Sequence, residues 1–162
     1  RALFRLTEIQ TSDFPMLEAV GRGRLKLALP PDLPLDVAFS GEDGAIRFDM
    51  SELALERLNI TLEQGDALVT LPEYTPLSPN VAQQPGNLQV REGNITIYVP
   101  ETVSPRFELD RGGSGIEPQF DPLLYNYLVG DVLEARNYDD AEIKPRYLIT
   151  APRGLVRLQT PQ

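Results

Sequence analysis

The acidic clusters of this chain are its most reactive groupings: Glu42-Asp43, and Asp139-Asp140 with Glu142 two residues on. Paired carboxylates are what glycoside hydrolysis requires, one as acid and the other as base or nucleophile, and several together can hold calcium. Adjacent residues on a strand point to opposite faces, however, and acids in a loop are ordinarily solvated charges. Neither cluster therefore reads as a catalytic pair.

Gly112-Gly113-Ser114-Gly115-Ile116-Glu117-Pro118-Gln119-Phe120 offers a second chemistry, close to the nonapeptide that wraps calcium in parallel β-rolls. Glu117 stands where that pattern has Asp, Gln119 where it has a large apolar residue, and a single copy lacks the adjacent turn that completes each ion's shell. It reads as a glycine-rich turn. Serine nucleophiles without histidine need a lysine partner, but Lys26 lies between strand leucines, Lys144 precedes Pro145, and neither follows Ser-x-x. Gly21-Arg22-Gly23 lacks the Lys-Ser or Lys-Thr of a phosphate loop. Asn59-Ile60-Thr61 and Asn94-Ile95-Thr96 are formal glycosylation sequons that fall within expected strands.

Composition narrows the options further. The 162 residues contain no His and no Cys, which removes imidazole bases, thiolates, zinc fingers, haem and iron–sulfur ligation. Twenty-four acidic against 15 basic residues give a net charge of -9, the wrong sign for nucleic acid or anionic lipid. The expectation is a non-enzymatic protein with no catalytic residue, no cofactor and no bound metal. No run approaches the ~18 apolar residues of a spanning helix. Because the chain opens at Arg1, it is expected to be a processed or excised piece, which leaves an upstream signal or membrane anchor open.

Behind these residues stands one repeated pattern: alternating apolar residues, a glycine turn, then alternation again, often closed by proline. Leu35–Phe48 turns at Gly44, Leu58–Pro72 at Gly65, Leu88–Pro100 at Gly93, Phe107–Ile116 at Gly112 to Gly115, and Tyr147–Leu158 at Gly154; Gly23–Pro30 supplies half of a sixth copy. Steps of 21, 21, 28 and 22 residues separate Gly23, Gly44, Gly65, Gly93 and Gly115, and Gly23–Phe39 overlays Gly93–Leu109 without a gap. One copy buries about five apolar side chains at ~1.5–3 kcal/mol each against ~1–2 kcal/mol of backbone entropy for every ordered residue, so it cannot fold alone. Stacked copies cover one another.

The sequence therefore predicts an all-β fold: a short, single-stranded parallel β-solenoid of about six to seven coils stacked in chain order. Leu27, Val37, Phe39, Ile46, Phe48, Ile60, Val69, Ile97 and Leu158 should face its core, and Lys26, Arg47, Asn59, Thr61, Gln89, Thr96, Tyr98 and Arg157 the solvent. Residues 1–22 are expected to form an N-terminal cap or stalk, 23–162 the solenoid, with a Pro-rich loop at 76–86. Residues 118–144 fit one irregular coil or a hairpin carrying Tyr125, Tyr127, Val129 and Leu133. The last strand, with Val156 and Leu158, should close the stack with its edge almost bare, so that self-association would run through the terminal coils.

Phe48-Asp49-Met50-Ser51-Glu52-Leu53, Leu58 through Pro72, Gly93-Asn94-Ile95-Thr96-Ile97-Tyr98-Val99-Pro100 and the closing Ile149–Leu158 carry a resemblance to a family. They resemble the toast-rack and LiaF-type cell-wall-active antibiotic response proteins and their adhesin-like relatives, over roughly residues 45 to 160. The resemblance implies a solenoid held outside a bacterial cytoplasmic membrane by an upstream helix, acting in adhesion or envelope stress signalling through a protein or cell-surface partner. It brings no catalytic residues. A small carbohydrate-active β-helix enzyme using the clustered carboxylates is the alternative.

Overall fold

The structure, a computed structural model, describes residues 29, 34–73, 85–113, 117–141 and 143–161. The chain divides into two units, Arg1–Pro30 and Pro31–Gln162, and the second is described below. The expected cap or stalk at 1–22, the Gly21-Arg22-Gly23 turn, Lys26, Leu27, most of the Pro-rich loop, Ser114 to Ile116 and Glu142 lie outside the described residues.

Eleven strands follow one another: β1 (Leu35–Asp43), β2 (Ile46–Asp49), β3 (Leu55–Gln64), β4 (Ala67–Thr70), β5 (Gly86–Glu92), β6 (Ile95–Tyr98), β7 (Arg106–Asp110), β8 (Tyr125–Leu128), β9 (Val132–Ala135), β10 (Arg146–Thr150) and β11 (Val156–Gln159). No helix occurs among the described residues. The alternation in the sequence is what selects strands: along β3 every second residue from Leu58 to Leu62 is buried, and the residues between them are partly exposed.

Two sheets result, one ordered β1-β3-β5-β10-β7-β9-β8 and the other β11-β6-β4-β2. All pairings are parallel except β7–β9 and β9–β8. Each strand–glycine–strand repeat gives its first strand to the larger sheet and its second to the smaller, so the two sheets climb in the same order.

The order of the strand–glycine–strand repeats is broken once. The last repeat, β10–β11, is inserted beside β5 and β6, while β7 is pushed one place outward to pair with the far side of β10. Where β7's own repeat would supply a second strand next to β11, there is a single parallel bridge from Gln119 to Arg157. Gln119 N–H donates to Val156 O, and the Gln119 carbonyl accepts from Leu158 N–H. This corrects the expectation of copies stacked in sequence and of a bare C-terminal strand. β10 is paired on both sides, and Gln119 occupies part of the outer edge of β11.

Buried rows cross the sheets in register: Ile60, Leu88, Ile149 and Leu109 in the larger, Val69, Ile97 and Leu158 in the smaller. These side chains belong to one cluster drawn from both sheets. Ile60, Val69, Ile97 and Leu158 are buried as expected. Val37, Phe39, Ile46 and Phe48 are only partly buried, β1 and β2 being the terminal strands of their sheets among the described residues; Phe39 and Phe48 meet edge to face at 5.4 Å.

The recurrent glycine has a steric cause. A Cβ on Gly65 would lie 1.9 Å from the Gly44 carbonyl oxygen, one on Gly93 1.9 Å from Gly65 O, and one on Gly154 1.6 Å from Gly93 O. Each corner therefore takes the carbonyl of the corner before it into the space that a side chain would fill. Gly86 is a different case. Expected in the Pro-rich loop, it begins β5 and is buried, and the Tyr147 ring packs so close that a Cβ there would lie 2.5 Å from it. That ring is free to stack on Phe107 at 5.8 Å.

Candidate functional site

One candidate site grows out of the glycine corners. The residues after the corner glycines Gly65, Gly93 and Gly154 are Asp66, Asn94 and Leu155. The Asn94 backbone N–H and its Nδ2 both donate to Asp66 Oδ1, at 2.8 and 3.0 Å, and Leu155 N–H donates to Asn94 Oδ1 at 3.0 Å. Side chains thus accept from the corner N–H groups of Asn94 and Leu155, while the corner carbonyls of Asp66, Asn94 and Leu155 stay in the backbone ladder. Beside this ladder the outward row Leu68, Thr96, Arg157 of β4, β6 and β11 completes a shallow depression of about 240 Å³. Arg157 Nε donates to Gln119 Oε1 at 2.9 Å, which fixes the guanidinium at one wall.

The second candidate is the hairpin β8–β9 at the far edge of the larger sheet. Leu123 and Val129 are 80% and 103% exposed, and Leu124, Tyr127 and Leu128 are exposed beside them. Cross-strand register puts Leu148, Glu108, Val132 and Leu128 in one row, so exposed Leu148 is separated from the hairpin's Leu128 by the Glu108 carboxylate and by buried Val132.

Polar links hold the hairpin in place. Arg106 of β7 pairs with Glu134 of β9 at 3.0 Å, and Arg146 of β10 with Glu108 of β7 at 2.8 Å. At the tip, Asp131 is the one non-glycine residue with positive φ (58°) among the described residues. Its Oδ1 accepts from Arg111 Nη2 at 2.7 Å and from the Tyr127 hydroxyl. The Tyr127 hydrogen bond, and then Arg111, hold the Asp131 carboxyl below its ordinary range. Burial drives the Tyr125 phenol up.

The residues singled out from sequence are dispersed. Glu42 and Asp43 are exposed at the end of β1, and Asp139 and Asp140 are exposed in the turn before β10. No group of three or more His, Cys, Asp or Glu residues able to hold a metal ion occurs among the described residues. In the glycine-rich nonapeptide, Gly112 and Gly113 take positive φ, Gly112 N–H donates to Asp110 Oδ1, and Glu117 lies 3.9 Å from Arg111. Lys144 Nζ donates to the Asp139 carbonyl at 2.7 Å and sits over the Tyr138 ring. Asn59 is in β3 as expected, whereas Asn94 lies outside the strands, at the exposed corner before β6. Sequence reading missed the corner ladder, although its signal was present: Asp66 and Asn94 each follow a repeat glycine.

No family model matches the chain, and no curated protein matches it in sequence. Among solved structures, a "putative cell adhesion protein" from Clostridium sporogenes is similar to it, with a TM-score of 0.63 over 88% of this chain and 67% of that one. At 15% identity the likeness concerns the fold.

Proposed function

We propose that this chain is a non-catalytic β-solenoid module of the toast-rack kind, displayed outside the cytoplasmic membrane of a bacterial envelope, that binds a protein or cell-surface partner. The common order of the two sheets and the stacked glycine corners support the solenoid reading. Adhesion as the role is supported by the fold's likeness to a protein with that description.

The observation that carries the reading is the distribution of apolar surface. Single exposed hydrophobic residues are ordinary, whereas a contiguous group marks a contact site. Here every large exposed apolar side chain among the described residues except Leu148 falls between Leu123 and Val129, and Leu148 shares a row with Leu128. The carboxylates singled out from sequence are instead exposed, Glu42 and Asp43 at the end of β1 and Asp139 and Asp140 in the turn before β10.

The test is a fourfold variant, Leu123, Leu124, Leu128 and Val129 each to Ser, with folding checked by circular dichroism. Beads coated with the unaltered chain should be retained on bacterial envelope preparations. The folded variant should lose more than about tenfold of that retention, since each buried anchor contributes ~1.5–3 kcal/mol. Equal retention, or none by either protein, would overturn the reading.

A further inference from the structure

The depression at the glycine corners is a second surface feature with ligand-binding chemistry among the described residues, and it lies on the smaller sheet. Its walls differ in charge. Asp66 uses Oδ1 for both bonds from Asn94, and Oδ2 has no partner among the described residues. Arg157 uses Nε toward Gln119, and neither Nη has a partner among the described residues. Between these walls lie Asn94 and the Thr96 hydroxyl, with Leu68 and Leu155 as apolar contacts. β4 and β11 flank β6, so at ~4.8 Å per strand the two charged walls stand roughly 10 Å apart.

We propose that this depression binds one carboxylated sugar residue. A guanidinium with its terminal nitrogens unused is suited to a planar carboxylate, which it can engage bidentately. A free carboxylate oxygen at the opposite wall repels a second anion but accepts hydroxyl protons. Asn94, with one Nδ2 hydrogen left after its bond to Asp66, and the Thr96 hydroxyl can meet sugar hydroxyls, and Leu68 and Leu155 can meet the C–H side of a ring. The volume of about 240 Å³ falls below the ~300–1,000 Å³ of pockets for drug-sized ligands, which fits a single ring. The net charge of -9 opposes dense polyanions, so the ligand carries one isolated negative charge.

The experiment is an NMR titration of the folded chain with glucuronate, glucose, glucose 6-phosphate and acetate, following the Asn94 amides and the Leu68 and Leu155 methyls. Glucuronate should shift these signals at concentrations at least tenfold lower than glucose or acetate. Arg157→Gln should reduce glucuronate to the level of glucose. Thr96→Leu, which fills the depression and leaves Arg157 in place, should abolish both. The proposal is overturned by equal shifts from acetate, by tighter binding of the phosphate, by an unchanged Arg157→Gln variant, or by no shift with any sugar. Because the hairpin is untouched, envelope retention should be the same in both variants, which separates failure here from failure of the adhesive reading.

Discussion

The two ends of the larger sheet are built on different principles. From β1 through β5 to β10 the strands are parallel, in register and joined by glycine corners, so backbone packing itself fixes each repeat on its neighbour. Beyond β7 the chain turns antiparallel, and side-chain pairs hold it: Arg106 with Glu134, Arg111 with Asp131, and Tyr127 with Asp131. The first arrangement tolerates almost no change at its corners. The second leaves its tip free to carry exposed apolar residues, because little of the core depends on that tip. Loops and edges carry recognition for the same reason in many folds.

The largest difference between the two regions should appear at their glycines. Gly93 has φ 146°, and an added Cβ would sit 1.9 Å from Gly65 O; Gly130 has φ 87°, and an added Cβ would meet nothing within 4 Å. Gly93→Ala combines backbone strain with an overlap that moving one side chain cannot relieve, and should cost more than about 3 kcal/mol in urea unfolding. Gly130→Ala should cost only the conformational penalty, about 1–2 kcal/mol. Equal losses would mean that the corner carbonyls do not set the stacking.

Core packing gives the next contrast. Ile60 is 1% exposed and bridges rows on both sides, against Phe39 and Leu88. Ile60→Ala should therefore lose ~2–5 kcal/mol through the cavity it leaves. Leu128→Ser, on the exposed side of β8, should stay within ~0.5 kcal/mol of the unaltered chain. A large loss at Leu128 would show that the hairpin supports the stack and does not simply hang from it.

How much of this was legible in the sequence follows the same division. Alternation and glycine spacing located the repeats at Gly44, Gly65, Gly93 and Gly154, because local periodicity and a steric requirement at one atom are written residue by residue. The insertion of β10 between β5 and β7 was not legible. Tyr147, Leu148 and Ile149 alternate as well as Phe107, Glu108 and Leu109 do, and nothing local says which segment takes the inner place. One cue was available, namely that a ring as large as Tyr147 needs a glycine opposite it and Gly86 provides one. The depression was hidden for a related reason, since Asp66, Asn94 and Arg157 meet only once that order is known.

The smallest expected effect concerns the link at the hairpin tip. Asp131 has its carboxyl pKa lowered from 3.8 by the Tyr127 hydroxyl and then by Arg111. A carboxylate with a depressed folded pKa contributes stability that is fully present above its unfolded value and is lost as the pH falls through the folded one. Acid should therefore loosen the tip at pH values below about 3.9, the ordinary carboxylate pKa. The Leu109 N–H, which donates to Asp131 O at 2.8 Å, reports on this through its hydrogen-exchange protection. Asp131→Asn is the matching variant, because asparagine tolerates the left-handed backbone but cannot ionise. Its protection should be lower than that of the unaltered chain at neutral pH and should lack the acid-dependent fall. Asp49 also has a lowered pKa, from its bonds with Ser51, but it sits at the end of β2 and should leave the Leu109 reporter unmoved. Since Asp131 is solvent-facing, added salt should weaken the Arg111 part of the effect. A Leu109 protection factor that declines identically in Asp131→Asn would show that the hairpin is held by β7–β9 pairing alone, and that the carboxylate contributes nothing to it.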